Sequence, residues 1–108
     1  MRRSKYGNIK TVVDGRIFAS KREAARYQEL RLLLRAGKIH DLQCHPAFAC
    51  VVNERRVCTY IADFQYYDVE KGETVTEDVK SGPTKTAVYR LKKKLVAAIL
   101  GVGIVEVS

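Results

Sequence analysis

The chain has 108 residues, 46% hydrophobic and 30% charged, with a formal net charge of +8 and three cysteines. That length suits one small domain, and the composition excludes a disordered chain. The charge favours a polyanionic partner, nucleic acid above an anionic membrane, and no apolar run approaches the roughly 20 residues that span a bilayer.

Residues 1–10, MRRSKYGNIK, are basic and have no apolar segment after them. They read as an arm able to lie on DNA (Arg2, Arg3, Lys5, Lys10) rather than as a secretory signal, and the expected compartment is the cytoplasm. Residues 11–108 read as the single domain. TVVDGRIFAS reads as a hairpin about Asp14-Gly15, a tight-turn pair. Ser20 then fits a helix N-cap, with Glu23 three residues on as a capping-box partner. The helix SKREAARYQELRLLLRAGK stops near Gly37. IHDLQCHPAFACVV is β-like but interrupted by Pro46, and NERR is a turn. VCTYIADFQYYD is a strand, VEKGE a turn and TVTEDVK another strand. SGP breaks the chain, and TKTAVYRLKKKLVAAIL is a helix with an apolar side of Val88, Leu91, Leu95, Ala98 and Ile99. GIVEVS is a final strand. The order hairpin-α-β-β-β-α-β predicts an α/β fold, a small mixed sheet flanked by helices.

Cys44, Cys50 and Cys58 are odd in number and form no CxxC pair, which speaks against a disulfide framework. His40, Cys44, His45 and Cys50 lie close together in sequence, but their spacing fits no standard zinc site. Buried free cysteines are the commoner outcome. SGPTKT lacks the first glycine of a nucleotide-binding loop, and no glycine directly precedes Lys85.

The acids carry more information. Side chains alternate along a strand, so Asp78 and Lys80 project from one face and Glu77 from the other. Asp63 lies near the middle of the preceding strand, so a hairpin would set it beside Asp78. Two carboxylates held close repel unless a proton or cation sits between them, and a divalent ion with oxygen ligands answers that. On the first helix Glu23 shares a line with Tyr27, Leu30 and Leu34, where burying a carboxylate is costly unless it is paired. Glu29 falls among Arg22 and Arg26 as a solvated partner of arginine. The plain alternatives are a first-turn capping residue for Glu23, an edge-strand charge for Asp63 and a surface ion pair for Asp78 and Lys80. On the second helix Lys85, Tyr89, Arg90, Lys93 and Lys94 fall mainly away from the apolar stripe and suit phosphate contact.

Glu23, then Ala62-Asp63, then Asp78-Val79-Lys80, in that order, resembles the PD-(D/E)xK nuclease superfamily. More narrowly, KYGN, VDGRIFASKREAARYQEL, YIADF, EDVKSG and YRLKKKL are similar to a family of short phage and prophage proteins related to Holliday-junction resolvases. Ala62 stands where the superfamily name has proline, and Glu77 beside Asp78 leaves two acids to choose from, of which the spacing to Lys80 selects Asp78. The resemblance implies a restriction-endonuclease-like core and a metal-dependent endonuclease acting on branched DNA. Asp63 and Asp78 would ligate Mg²⁺ or Mn²⁺ together with the Val79 carbonyl. Glu23 would ligate a second ion or hold water, and Lys80 would orient and help deprotonate the attacking water. Symmetric cutting of a junction needs two active sites, which implies a homodimer. The rival expectations are a non-catalytic nucleic-acid-binding module on the same fold, and a basic regulatory protein whose acids are structural.

Overall fold

The computed structural model describes residues 10–108. Arg2, Arg3 and Lys5 of the expected arm lie outside the described residues. Among the described residues the chain is an α/β protein with two α-helices and small sheets, one of them mixed. Among the described residues, no helix is long and apolar enough to cross a membrane.

Strands β1 (Thr11–Val13) and β2 (Arg16–Phe18) pair antiparallel. Asp14 and Gly15 between them have φ of 52° and 74°, the left-handed pair that matches the strand twist of a two-residue hairpin. Helix α1 (Lys21–Arg35) follows, its start capped by Ser20 Oγ accepting from the Glu23 N–H at 3.1 Å. Its end is closed by the Lys38 N–H on the Leu33 carbonyl and the Gly37 N–H on the Leu34 carbonyl. Gly37 supplies the left-handed residue that this closure requires.

The next part departs from the sequence expectation. IHDLQCHPAFACVV and VCTYIADFQYYD were expected as single runs, and each is broken in two. The observed strands are β3 (Ile39–Cys44), β4 (Ala47–Val52), β5 (Arg55–Ile61) and β6 (Phe64–Asp68). β3 pairs with β6 and β4 with β5, so the two runs form one long antiparallel ribbon bent at His45-Pro46 and Ala62-Asp63. The bend is bridged by the His45 N–H on the Asp63 carbonyl (2.9 Å) and the Ala62 N–H on the Pro46 carbonyl (3.1 Å). Pro46 has no N–H to give the ladder, so a bond is missing there, while the register of Cys44 with Phe64 and of Ala47 with Ile61 is the same on both sides of the bend. The tip of the ribbon is Asn53-Glu54 alone; Arg55 and Arg56 belong to β5.

Strand β7 (Glu73–Val79) pairs antiparallel with β6, helix α2 (Ala87–Leu100) crosses over, and β8 (Ile104–Val107) returns parallel to β7. The four-stranded sheet has the order β3-β6-β7-β8. An apolar cluster lies on either side. Phe18, Ala24, Tyr27, Leu30, Phe64, Tyr66 and Val75 pack under α1. Cys50, Tyr60, Ala62, Tyr89, Val96 and Ile104 pack under α2, which lies on β4 and β5. In an unbroken strand Ala62 and Phe64 would share a face. Here they serve opposite cores, and Asp63 sits at the crossover.

α2 also corrects the sequence reading. Val88, Leu91 and Ala98 of its expected apolar side are exposed, and Tyr89 and Val96 are buried instead, with Leu95 and Ile99 partly buried. Apolar residues occupy more than one side of this helix, and the stripe that docks is the one that meets the β4–β5 ribbon.

Candidate functional site

The site forms where the start of α1, the ribbon bend and the end of β7 meet. Glu23 lies in the first turn of α1 but is only 4% exposed, so it is not the solvated capping residue of the plain alternative. Ser20 caps its N–H, but the Glu23 carboxylate turns away and meets His45 Nε2 at 2.7 Å. Asp63 is held at the bend rather than within a strand, as the correction above requires. Its Oδ2 accepts from the Val79 N–H at 2.7 Å, and its own N–H donates to Asp78 Oδ1 at 2.9 Å. Each aspartate therefore grips the other's neighbourhood of backbone, locking the bend to β7.

Burial pushes the Asp63 carboxyl up to about 6, with Glu23 adding repulsion against the pull of the Val79 N–H, Lys80 and His45. Burial likewise pushes Asp78 up to about 6, opposed by Lys80 and the Asp63 N–H, with repulsion from Glu23 and Glu106. Both acids thus carry an uncompensated desolvation cost in the ionised form. Ligand atoms of Glu23, His45 and Asp63 lie within 4.8 Å of one another. Asp78 is outside that trio, almost fully buried and turned onto the ribbon backbone. Glu23, Asp63, Val79 and Lys80 line a cleft of about 190 Å³ with Ser20 and Arg22. A larger groove of about 520 Å³ lies over Gln43, Gln65, Tyr67 and Thr74 but holds none of these acids, so its size is no guide to chemistry.

Glu77, next to Asp78, is a different kind of acid. It faces α1, where Arg26 donates through Nε to Oε1 (2.9 Å) and through Nη2 to Oε2 (2.7 Å). The Tyr66 hydroxyl donates to Oε2 as well. Arg26 also pairs with Glu29, the arginine partner expected from sequence. The hydrogen bond that Arg26 donates to Glu77 raises its guanidinium well above its ordinary range, and burial followed by the bond to Glu77 raises Tyr66.

On the α2 side the DNA-contact assignments need revision. Tyr89 is 8% exposed, its hydroxyl donates to Glu106 at 2.8 Å, and Lys80 Nζ sits 4.5 Å above its ring. It is a core residue, because the buried stripe of α2 runs through it. Lys85 and Lys93 reach Glu106 at 3.2 and 3.4 Å. The hydrogen bond from Tyr89, then that from Lys85, holds Glu106 down at about 2. Arg90 and Lys94 are exposed.

His45 is the site residue that sequence reasoning missed. It was weighed only beside His40, Cys44 and Cys50 as a zinc site, yet Cys44 packs toward the α1 core and Cys50 lies in the α2 core, and all three cysteines are free. The signal that could have found it was Pro46, which cannot donate to the ladder and so marks a place where the strand pairing is interrupted.

The chain belongs to a family described as Protein of unknown function (DUF1064), whose model matches residues 3–100. No curated protein and no solved structure matches it.

Proposed function

We propose that this protein is a metal-dependent DNA endonuclease of the PD-(D/E)xK kind, cutting branched DNA such as Holliday junctions as a homodimer. The observation that carries the reading is the juxtaposition of Glu23 and Asp63, one buried and one partly buried carboxylate facing one cleft with Val79 and Lys80 at its wall. The order α1, antiparallel β6 and β7, α2 and parallel β8 is compatible with a restriction-endonuclease-like core. The cytoplasm of a bacterial host would be the place of action for a phage or prophage product.

The donor set fits a hard divalent cation. Burial and the neighbouring Glu23 both raise the cost of ionising Asp63, and a cation relieves that cost. Asp63 and Glu23 would hold Mg²⁺ or Mn²⁺, with Asp78 and the Val79 carbonyl at the adjoining end of β7. A bound divalent ion supplies activation of the attacking water and stabilises charge on the phosphoryl oxygens. The chain's own residues do the rest. Asp78 holds the Asp63 backbone in place, and the Val79 N–H orients the Asp63 carboxylate. Lys80 brings a positive charge close to both aspartates, suited to orienting water and steadying the developing anion. Arg90 and Lys94 are the exposed cations on α2 suited to the DNA backbone.

The test incubates the protein with a four-way junction and a matched linear duplex, in Mg²⁺, Mn²⁺ or EDTA, beside Asp63→Asn. Paired cuts in the junction that need metal and Asp63 are the expected result. Cutting of both substrates keeps the nuclease and removes the junction preference. Binding without cutting in any metal overturns the enzyme in favour of the non-catalytic binding module.

A further inference from the structure

We propose that His45 is a metal ligand, and that it makes this centre one for a nitrogen-accepting first-row transition ion in preference to Mg²⁺. The inference deepens the nuclease reading and rests on it for the presence of a divalent ion.

The placement of His45 supports it first. The residue has φ of 55° in the ribbon bend, a left-handed conformation that is costly for a non-glycine residue. Such cost is retained where the surroundings over-determine it, and here they do. The His45 N–H is tied to the Asp63 carbonyl, and the ring packs against Phe18 at 6.0 Å between centroids. Its Nε2 meets Glu23 Oε1 at 2.7 Å. Three elements therefore fix where the imidazole points, and it points at the acids.

The geometry supports it next. Donors of one octahedral ion stand about 3 Å apart when adjacent and about 4.3 Å apart when opposite, given bonds of roughly 2.1 Å. His45 Nε2 and Glu23 Oε1 already stand 2.7 Å apart, and all three donors lie within 4.8 Å of one another, so an ion has to draw the donors together without moving any backbone element to a new place. The three come from α1, the first half of the ribbon bend and the second half, so the trio is a property of the folded chain and not of one loop.

The donor chemistry then sets the metal. Carboxylates alone suit Mg²⁺ and Ca²⁺, whereas imidazole suits the first-row transition ions, among which Mn²⁺ takes oxygen ligands as well. Mg²⁺ prefers oxygen and gives up its water reluctantly. A centre with one imidazole and two carboxylates is therefore biased away from Mg²⁺, and the bias should follow the nitrogen. The competing account is an ion pair in which His45 only steadies Glu23. It predicts no nitrogen on the metal.

The experiment uses Mn²⁺ as the probe on untagged, chelator-stripped protein, with Mg²⁺ as competitor. The chain has two histidines, His40 and His45, so a nitrogen signal has few sources. Pulsed electron paramagnetic resonance of bound Mn²⁺ is expected to show ¹⁴N coupling that persists in His40→Ala and vanishes in His45→Asn. Asparagine is chosen because it tolerates the left-handed backbone. By calorimetry His45→Asn should weaken Mn²⁺ at least tenfold and Mg²⁺ less than about threefold, the asymmetry that a softer ligand gives. Mn²⁺ bound to the wild type without ¹⁴N coupling would overturn the inference and leave the nuclease reading standing. No binding of either ion would overturn both.

Discussion

Glu77 and Asp78 are neighbours in sequence, equally buried, and opposite in circumstance. Glu77 is fully answered: a two-point arginine and a tyrosine hydroxyl meet its oxygens. On the other side Asp78, with Asp63 and Glu23 nearby, is answered mainly by backbone N–H groups and one lysine, and both aspartates are pushed up to about 6. The difference separates a carboxylate whose charge the fold itself neutralises from carboxylates whose charge it leaves in part uncompensated, as the proposed metal centre requires. Burial alone does not distinguish them; the completeness of the compensation does.

The comparison can be broken most directly at Asp63. Asp63→Asn should lower junction cleavage by about 10³-fold or more, since it removes a charge needed by the ion. The same variant should melt no lower than wild type in EDTA, because a desolvated charge has gone. A melting loss as large as the activity loss would show Asp63 to be structural, like Glu77. The converse is Arg26→Ala, which strands Glu77 without its cation and should cost about 3–5 kcal/mol in urea unfolding. The partial exposure of Arg26 places the value at the lower end. Pairing it with Glu77→Gln should recover part of that loss, and strict additivity would sink the pairing.

The pH dependence sharpens the contrast further. Asp63 and Asp78 are raised from 3.8 to about 6, so their contribution to stability is full below about pH 4 and is lost as pH rises through 6. In EDTA the melting temperature of wild type should therefore fall more between pH 4 and 7 than that of Asp63→Asn. Glu106 titrates in the opposite sense near 2 and does not mask this window. Smaller again is the charge on α2. Arg90→Glu or Lys94→Glu should flatten the salt dependence of DNA binding by about one unit of slope each. Lys85→Ala, whose cation is tied to Glu106, should change it less. The smallest effect is Ser20→Ala, which removes the α1 cap and should cost about 1 kcal/mol by thermal melting.

Much of this was legible in the sequence, and unevenly so. The Asp14-Gly15 turn, the Ser20 cap and the Gly37 stop are local, and each is dictated by residues within a turn of itself. Glu23 stood out because it interrupts an apolar line. The break at Ala62-Asp63 was not legible, since alternation runs on through Tyr60 to Tyr67 without a sign. Its cause is Pro46, on the partner strand and 16 residues away from Ala62. Tyr89 was misplaced because α2 offers apolar residues on two sides, and only its neighbours choose between them. His45 was read against nearby cysteines, whereas its partners come from α1 and the far side of the ribbon.

The bent ribbon also orders events in time. Its inner half, β3 and β6, belongs to one core and its outer half, β4 and β5, to the other, so the bend takes its shape when both have closed. Closing contacts so distant in sequence is slow compared with forming the hairpin or either helix. The amide hydrogens of Asp63 and Val79, which bond to the Asp78 and Asp63 carboxylates, should be among the last to gain protection in pulse-labelled refolding. A nascent or half-folded chain would then carry every acid of the centre and still be inert toward the genome around it.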